Sequence, residues 1–458
     1  MRDDLNTLFQ KQCDFFRSGA TRSLPFRREQ LKKLYTLLQK NETVLSNALR
    51  ADLNKGEMES YGTEIGPVRS EIRFLIRHLK EWMQPQHVPG MIFSFSSRGM
   101  LMHEPYGTVL IISPWNYPVW LSLVPLAGAM AAGNCIILKP SEVSSHTSAA
   151  LKKLFDDAFP AEYISVVEGS AETSRQLINL PPHYIFFTGS TAVGKIVAQE
   201  AAASLTPFTL ELGGKTPCII DATANLKLSA RRIMWGKSIT AGQTCVAPDY
   251  LLVQENVKDK LVDEIRNVLK QFYPGGALND PDYPCIIDAR HYERLKNMMR
   301  NGTILLGGKS NDERRLIEPT LVGGLHAGEP AFSEEIFGPL LPVISYRTHD
   351  DLLQVLNRYP DPLSLYIFSN DKKFQRRLLR EIPFGGALIN DTIEYLGNHH
   401  LPFGGIRSSG FGRYHGRFSF ETFSHPKAVM KKSTLLDLNF RYKPYNQIKN
   451  RIMRTFLK

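Results

Sequence analysis

Cysteine is scarce in this chain of 458 residues, and its five copies follow no cross-linking or metal-binding pattern. An odd count with no Cys-x-x-Cys supports neither a disulfide framework nor a zinc ribbon. His-x-x-His and His-Glu-x-x-His are missing too, so no metal site is predicted. Asp3 and Asp4 stand where an export signal would be basic, and no apolar stretch follows them. We therefore expect a reducing, cytoplasmic setting.

Long hydrophobic runs are also lacking. No charged residue lies between Glu104 and Lys139, but Pro114, Pro118 and Pro125 interrupt this stretch, which excludes a span of about 20 apolar residues. The pattern instead predicts a strand at 108–112, a loop, a helix at roughly 119–132 and a strand at 135–138. In such a βαβ unit, ligands bind at the carboxyl end of the first strand.

The same alternation of short apolar runs and helical patterns continues along the chain. Strands are predicted at 163–167 and 184–187, and a second series runs from Thr209 through 218–220, 250–253 and 365–368. This rhythm predicts doubly wound α/β architecture in two domains. Two segments depart from it and could pair with another subunit. They are a hairpin at 91–103, turning at 97–99, and a late strand at 427–434.

Positive charge is concentrated at the C-terminus. The net charge is +11, but residues 441–458 hold six basic residues and no acidic one. The rest of the chain is close to balanced and carries no groove-reading motif, so nucleic-acid binding is not expected. Residues 446–458 alternate apolar and basic side chains at helical spacing. This pattern predicts a short amphipathic helix that contacts an anionic membrane surface. The alternatives are a tail that folds back over a partner subunit and a disordered tail.

One glycine-containing segment has the form of a phosphate-binding turn. Residues 187–195 follow a strand and open a helix, where Gly189 and Gly194 let the backbone approach a diphosphate. The spacing resembles a P-loop, but Ile196 occupies the position of the hydroxyl that would ligate Mg²⁺. A dinucleotide site and an ordinary strand-to-helix turn are the two remaining readings.

Two further segments carry reactive side chains. Glu211 precedes Gly213 and Gly214 at the end of a strand, where it is either a base on a mobile loop or a turn residue. Cys245 lies among small polar residues, unlike Cys135 and Cys218, which lie in apolar strands. A nucleophilic thiolate must be reachable, and the surroundings of Cys245 allow this.

Seven motifs, listed below in chain order, resemble those of the aldehyde dehydrogenase superfamily, and the resemblance covers residues 20–435. The region after the cysteine and the segment at 409–416 are similar to its class 3 branch. The motifs are Pro114-Trp-Asn-Tyr-Pro118, Lys139-Pro-Ser-Glu142, Phe187-Thr-Gly-Ser190, Glu211-Leu-Gly-Gly-Lys215, Gly242-Gln-Thr-Cys245, Glu334-Glu-Ile-Phe-Gly-Pro339 and Leu401-Pro-Phe-Gly-Gly405.

This resemblance implies a role for each residue. Cys245 is the expected nucleophile, Glu211 the general base, and the Asn116 amide part of the oxyanion hole. The residues expected to bind the cofactor are Lys139 and Glu142 at the adenosine ribose, Gly189, Ser190 and Gly194 at the diphosphate, and Glu335 and Phe337 at the nicotinamide end. Tyr117 is expected to line the substrate tunnel.

The resemblance also implies the architecture: an aldehyde dehydrogenase fold with a Rossmann-like NAD domain, an α/β catalytic domain and a small β oligomerisation flap. The expected boundaries are 1–83 and 105–210 for the NAD domain, 211–415 for the catalytic domain, 84–104 and 416–437 for the flap, and 438–458 for a basic tail.

The implied reaction is NAD-dependent oxidation of medium- or long-chain aliphatic or aromatic aldehydes by a homodimer. NADP is the second cofactor candidate, because Glu142 disfavours a 2′-phosphate while Lys139 could offset it. A catalytically inactive scaffold and a CoA-acylating enzyme are the alternatives. The presence of Cys245, Glu211 and Asn116 opposes the first, and Glu211 as a base for water opposes the second.

Overall fold

A computed structural model describes residues 2–89, 97–324 and 334–456. Helices lie at α1 Arg2–Arg17, α2 Leu24–Lys40, α3 Glu42–Leu53, α4 Glu57–Ser60, α5 Gly66–Trp82, α6 Trp120–Ala132, α7 Ser145–Ala158, α8 Ala171–Ile178, α9 Thr191–Ala203, α10 Leu226–Ser238, α11 Lys258–Phe272, α12 Ala289–Arg300, α13 His349–Arg358, α14 Lys372–Glu381, α15 Arg417–Thr422 and α16 Gln447–Phe456. Strands lie at β1 Gln86–Val88, β2 Ser97–Pro105, β3 Thr108–Ile112, β4 Cys135–Lys139, β5 Ile164–Val166, β6 Tyr184–Gly189, β7 Phe208–Leu212, β8 Pro217–Ile220, β9 Tyr250–Gln254, β10 Thr303–Leu306, β11 Ser310–Asn311, β12 Leu316–Ile317, β13 Thr320–Gly323, β14 Leu340–Tyr346, β15 Ser364–Phe368, β16 Gly386–Ile389, β17 Gly410–Phe411 and β18 Ser424–Lys432.

A six-stranded sheet has the order β17-β7-β6-β3-β4-β5, parallel except for β17. β3 comes first in the chain among its parallel strands, and β4 and β6 flank it on opposite sides. Strand order therefore reverses at β3, and a crevice opens there outside the carboxyl ends of the strands. This arrangement confirms the predicted doubly wound sheet.

A seven-stranded sheet contains the second α/β series, in the order β10-β13-β14-β9-β8-β15-β16. Only the pairing of β10 with β13 is antiparallel. Helices pack on both faces, as the separate apolar clusters on the two sides of the sheet indicate. The predicted second α/β unit is confirmed.

The segment without charge between Glu104 and Lys139 folds as a βαβ unit, as predicted. Helix α6 is buried along nearly its whole length and ends at Gly133, whose φ of 94° is in the left-handed region. A Cβ at Gly133 would lie 2.4 Å from the guanidinium of Arg27, so glycine is required there. In the described part of the chain, no helix is both long enough and apolar enough to cross a membrane.

A small sheet pairs β2 with β1 on one side and β18 on the other. The predicted turn at 97–99 is wrong, because these residues lie inside β2. A glycine is needed at position 99 because of the neighbouring strand and not because of a turn. A Cβ there would lie 2.7 Å from the side chain of Val88. The predicted residues 91–96 lie outside the described residues, and the late strand begins at Ser424 instead of Lys427.

Strand β7 crosses the expected domain boundary between residues 210 and 211. Its end carries Glu211, which pairs with Gly410 of β17 although that strand falls in the expected catalytic domain. The base candidate is thus attached to the six-stranded sheet.

Candidate active site

A cavity of about 720 Å³ opens between the two large sheets. It is lined by the loop after β3, the end of β6 with the start of α9, the end of β7, and the segment before β9. The predicted residues that meet there are Asn116, Gly189, Ser190, Glu211, Cys245, Glu335 and Phe337. The remaining predicted residues, Tyr117, Lys139, Glu142 and Gly194, do not line it.

Cys245 follows a strained turn. Thr240, Ala241 and Gly242 have φ values of 51°, 49° and 73°. The first two therefore adopt a left-handed backbone conformation that is unfavourable and rare for residues other than glycine. A Cβ at Gly242 would lie 2.3 Å from the carbonyl oxygen of Gly338. Such strain concentrates at functional sites. Cys245 is partly exposed, whereas the other four cysteines are buried.

The environment of Cys245 disfavours the thiolate. Burial raises the pKa of its thiol well above the ordinary value, and the carboxylates of Glu335 and Glu211 raise it further. The backbone N–H groups of Cys245 and Val246 oppose this shift. Deprotonation therefore needs a nearby base or a change in the charge of the site.

Glu211 is buried at the end of β7. Neither carboxylate oxygen finds a hydrogen-bond partner within the described part of the chain. Burial raises the pKa of this carboxyl well above its usual range. A buried carboxyl without partners is costly to keep, and it is suited to taking a proton from a small molecule in the cavity.

Asn116 is buried in the loop after β3, and its Nδ2 donates to the carbonyl of Gln243 at 3.0 Å. The side-chain amide has two N–H groups, so one stays available to a ligand oxygen. This contact links Asn116 to the segment two residues before Cys245. The Asn116 amide can therefore stabilise an oxyanion that forms on a carbon attached to the sulfur of Cys245.

Glu335 and Phe337 come from a loop that is clamped through its backbone. Arg294 donates to the carbonyls of Glu335 and Ile336 at 3.2 and 2.6 Å. Asp249 accepts from the Ile336 N–H at 2.8 Å. Phe337 packs edge-on to Trp115 with ring centres 5.3 Å apart. Both predicted side chains are thus held at the cavity wall.

The Glu335 carboxylate rests against the backbone after Glu211. A Cβ at Gly213 would lie 2.0 Å from its Oε2, so only glycine allows this approach. Burial, followed by the charge of Asp249, raises the pKa of Glu335 to about 8. Its Oε1 has no hydrogen-bond partner among the described residues, which leaves an acceptor for a ligand hydroxyl.

The N-terminus of α9 faces the cavity. Ser190 caps this helix by accepting from the Val193 N–H, and Thr191 and Ala192 also line the wall. Free N–H groups at such an end bind phosphate. Gly194 instead packs α9 on β7, since a Cβ there would meet Leu212 at 2.5 Å. With the open oxygen of Glu335, this wall fits a dinucleotide.

Lys139 and Glu142 lie beyond the cavity wall at the carboxyl end of β4, and they pair with each other at 2.6 Å. They adjoin the site through the backbone, because the Ser113 N–H donates to the Lys139 carbonyl at 3.1 Å. Tyr117 is buried, and its hydroxyl lies 2.7 Å from Oγ1 of Thr244, the residue before Cys245.

Several residues of the site were not found from the sequence. Lys55 and Glu64 lie under the loop of Asn116, Glu59 accepts from the Thr240 N–H at 2.7 Å, and Arg294 holds the loop of Glu335. The first three lie between α3 and α5, in a stretch where the sequence shows no chemical motif. Their distance in sequence from Cys245 left no local signal.

Comparison with known proteins identifies the family. The sequence profile described as "Aldehyde dehydrogenase family" matches residues 2–429. The chain belongs to the aldehyde dehydrogenase family. It is an oxidoreductase that acts on aldehydes, and it resembles family 3 members.

Two relatives and one solved structure illustrate the similarity. The chain is 44% identical to 4,4′-diaponeurosporen-aldehyde dehydrogenase of Staphylococcus aureus, over 96% of this chain and 97% of that protein. It is 41% identical to the dimeric NADP-preferring aldehyde dehydrogenase of Rattus norvegicus, over 92% and 93%. A structure of the substrate-bound state of Staphylococcus aureus AldH has a TM-score of 0.96 at 43% identity, covering 99% of both chains. Aldehyde dehydrogenases use NAD or NADP.

Proposed function

We propose that this aldehyde dehydrogenase converts aldehydes to carboxylic acids through a thioester on Cys245. The observation that carries the proposal is the meeting of Cys245, Asn116 and Glu211 in one cavity. A planar aldehyde carbon does not release hydride readily. The Cys245 thiol loses its proton to water in the cavity, and attack by the resulting thiolate makes the carbon tetrahedral. The oxyanion that forms then pushes the hydride out.

The chain's residues have separate roles in this reaction. The free N–H of Asn116 and the backbone N–H of Cys245 hold the oxyanion, and one such donor is worth about 3–4 kcal/mol. NAD(P)⁺, when bound, supplies the hydride acceptor. Loss of hydride leaves a thioester on Cys245. Glu211 then takes a proton from water, and the resulting attack releases the acid.

The cofactor is proposed to be NAD⁺, with NADP⁺ as the second candidate. The proposed binding residues are Ser190 and Gly189 for the diphosphate, Glu335 for the nicotinamide ribose, Phe337 beside the nicotinamide, and Lys139 with Glu142 at the adenosine ribose. Glu142 disfavours a 2′-phosphate by charge repulsion. A boundary near residue 210 between the NAD domain and the catalytic domain is part of this proposal.

The proposed substrates are medium- and long-chain or aromatic aldehydes. A second cavity of about 370 Å³ is lined by apolar side chains, among them Trp120, Val124 and Leu396, and by polar ones, among them Glu71 and His399. Its apolar wall supports this class. Trp120 packs edge-on to Tyr117, whose hydroxyl reaches Thr244 next to Cys245. The name of the Staphylococcus aureus relative, which refers to a diaponeurosporen aldehyde, also supports this substrate class.

NADH formation from aldehydes of increasing length, with and without CoA, tests the proposal. We expect rates to rise from acetaldehyde to long-chain and aromatic members, with no need for CoA. A requirement for CoA would instead identify an acylating enzyme. Absence of NADH with every aldehyde would favour a scaffold. Trp120→Ala should alter the preference for chain length without abolishing the reaction.

A cytoplasmic homodimer is the proposed assembly. β18 lies at the edge of its sheet, and Val429 and Met430 are exposed on it. An edge strand with exposed apolar side chains is a template for another chain. The rat relative is named as dimeric. Light scattering should give twice the mass of the chain, and Val429→Lys with Met430→Lys should lower it.

The C-terminal tail is proposed to contact anionic lipid. Tyr445 and Ile448 are exposed there, near the exposed Arg451 and Arg454. Lys449 and Arg441 contribute less, because Lys449 donates to two backbone carbonyls and Arg441 pairs with Asp437. Each free basic residue adds about 1 kcal/mol of binding to such a surface, so the contact is weak and sensitive to salt.

A further inference from the structure

A lysine and a glutamate are buried together under the loop that carries Asn116. Nζ of Lys55 donates to Oε1 of Glu64 at 2.5 Å, and neither side chain is exposed. Bringing two charges out of water is costly, and a buried pair gives little net stability. Its contacts therefore point to a role in fixing a conformation.

The two hydrogen bonds and the ring contact of this lysine are directed at Glu64 and at the loop of Asn116, and its charge also acts on Glu59. Nζ of Lys55 also donates to the carbonyl oxygen of Asn116 at 3.0 Å. The same ammonium lies 4.0 Å from the centre of the Tyr117 ring. The Lys55 ammonium thus contacts both the peptide of Asn116 and the ring of Tyr117.

Glu64 fixes the other end of the same loop. Its Oε2 accepts from the N–H groups of Val119 and Trp120 at 2.8 and 3.2 Å, in the first turn of α6. These are N–H groups that a helix leaves without partners at its start. The loop is therefore bound by the pair at Asn116 and again at the beginning of α6.

The backbone around Glu64 is unusual as well. Residues Tyr61–Ile65 form a π-helical turn between α4 and α5. Such turns are rare and often occur at functional sites. The π turn carries the carboxylate that reaches both Lys55 and α6.

We propose that Lys55, held by Glu64, is a positioning residue that orients the Asn116 amide towards the oxyanion. The inference rests on the proposed role of Asn116 in catalysis. Lys55 does not line the cavity and does not touch the reacting atoms. It acts on the Asn116 peptide, while the contact from Nδ2 of Asn116 to Gln243 sets the direction of the amide.

Lys55→Met tests this by removing the charge while keeping the volume of the side chain. We expect the rate of the first NADH turnover to fall about 10- to 100-fold, as for a reacting group displaced by about 1 Å, with little change in KM. Arg27→Met is the matched control. Arg27 is a buried cation that donates to Ala131 near the opposite end of α6. Its loss should lower the Tm without slowing the first turnover.

A double-mutant cycle separates positioning from general damage. In an Asn116→Ala background, Lys55→Met should add less than about a threefold loss, because the group it orients is already gone. Independent, multiplying losses would overturn the inference. If Lys55→Met does not fold, Glu64→Gln, which keeps oxygen and amide groups at that position, is measured in the same cycle.

A crystal structure of the Lys55→Met variant gives a readout independent of turnover. We expect the Asn116 amide to leave the carbonyl of Gln243. An unchanged 3.0 Å contact would overturn the inference. An inactive wild-type protein would instead count against the proposed function, and the crystal structure would still decide the role of Lys55.

Discussion

Lys139 and Glu142 neutralise each other at the carboxyl end of β4, where Nζ donates to Oε2 at 2.6 Å. The lysine side chain is buried, whereas that of Glu142 is 46% exposed. The positive charge that could attract a 2′-phosphate is therefore already paired. The carboxylate keeps oxygen lone pairs for ribose hydroxyls.

Glu142→Ala should shift cofactor preference towards NADP⁺. Removal of the carboxylate frees Lys139 and removes a repulsive charge, so the ratio of kcat/KM for NADP⁺ over NAD⁺ should rise about tenfold. Asp156→Ala breaks the comparable pair with Lys152 on α7 and should leave the ratio unchanged. A wild-type ratio strongly in favour of NADP⁺ would contradict the proposed binding mode.

Cys245→Ser should abolish turnover. A serine hydroxyl at this position is a much weaker nucleophile than a thiolate, so steady-state NADH formation should fall by at least about 1,000-fold. Cys13→Ser is the control, because Cys13 is buried against Thr108 and lies outside the cavity. More than a small remaining activity in the Cys245 variant would refute the nucleophile assignment.

Glu211→Gln should separate the two halves of the reaction. The variant can still lose hydride but cannot accept the proton of water, so the thioester should accumulate. Stopped-flow absorbance should show a burst near one NADH per active site, followed by turnover slowed about 100- to 10,000-fold. Loss of the burst itself would show that Glu211 acts earlier, on the thiol of Cys245.

The same substitution should stabilise the protein at alkaline pH. Burial raises the pKa of Glu211 above its ordinary value near 4.5, so the unfolded chain releases this proton at a lower pH than the folded protein. The favourable contribution is complete below the unfolded pKa and is lost as pH rises towards the folded pKa. Glu211→Gln should therefore raise the Tm at pH 8.5 by about 2 °C, and less at pH 5.

Glu255→Gln serves as the control for that measurement. Hydrogen bonding from Arg347 lowers the pKa of Glu255, so its linkage to pH has the opposite sign. Its Gln variant should show no gain in Tm at pH 8.5. An equal Tm for wild type and Glu211→Gln at both pH values would show that Glu211 is hydrated or paired in solution.

Removal of the tail should weaken binding to anionic vesicles. Phosphatidylserine-containing liposomes should sediment the full chain at low salt, release it at high salt and retain less of a chain ending at Phe440. Arg451→Gln with Arg454→Gln should reproduce most of the loss, since charge supplies the attraction. Equal binding by all chains would rule out the lipid contact. Lost activity with unchanged binding would favour a lid over the substrate entrance.

The sequence predicted the sheets better than the short β elements. The runs at 108–112 and 135–138 are apolar except for Thr108, because parallel strands are buried on both faces, and this signal is local. The prediction of a turn at 97–99 was wrong because a glycine such as Gly99 occurs both in tight turns and next to a closely packed strand. Composition alone does not distinguish the two.

Within the site, residues next to motifs were easier to predict than their supports. Asn116 follows β3 and Glu211 lies at the end of β7, both in the six-stranded sheet, whereas Cys245 precedes β9 of the other sheet. All three meet at one cavity. Lys55 is 61 residues from Asn116 in sequence, and the contact depends on how α3 and α4 pack. Gly194 looked like a phosphate contact but serves packing, a difference set by its orientation on α9.

Glu211 ends a strand of the six-stranded sheet, while Cys245 lies in the turn that leads into β9 of the other sheet. The nucleophile and the base are thus carried by separate frameworks, and the gap between sulfur and carboxylate depends on how those frameworks rest on one another. A substitution far from both residues that tilts one sheet by a small angle changes this gap. The reaction rate of this enzyme therefore also depends on how the six-stranded and the seven-stranded sheet pack against each other.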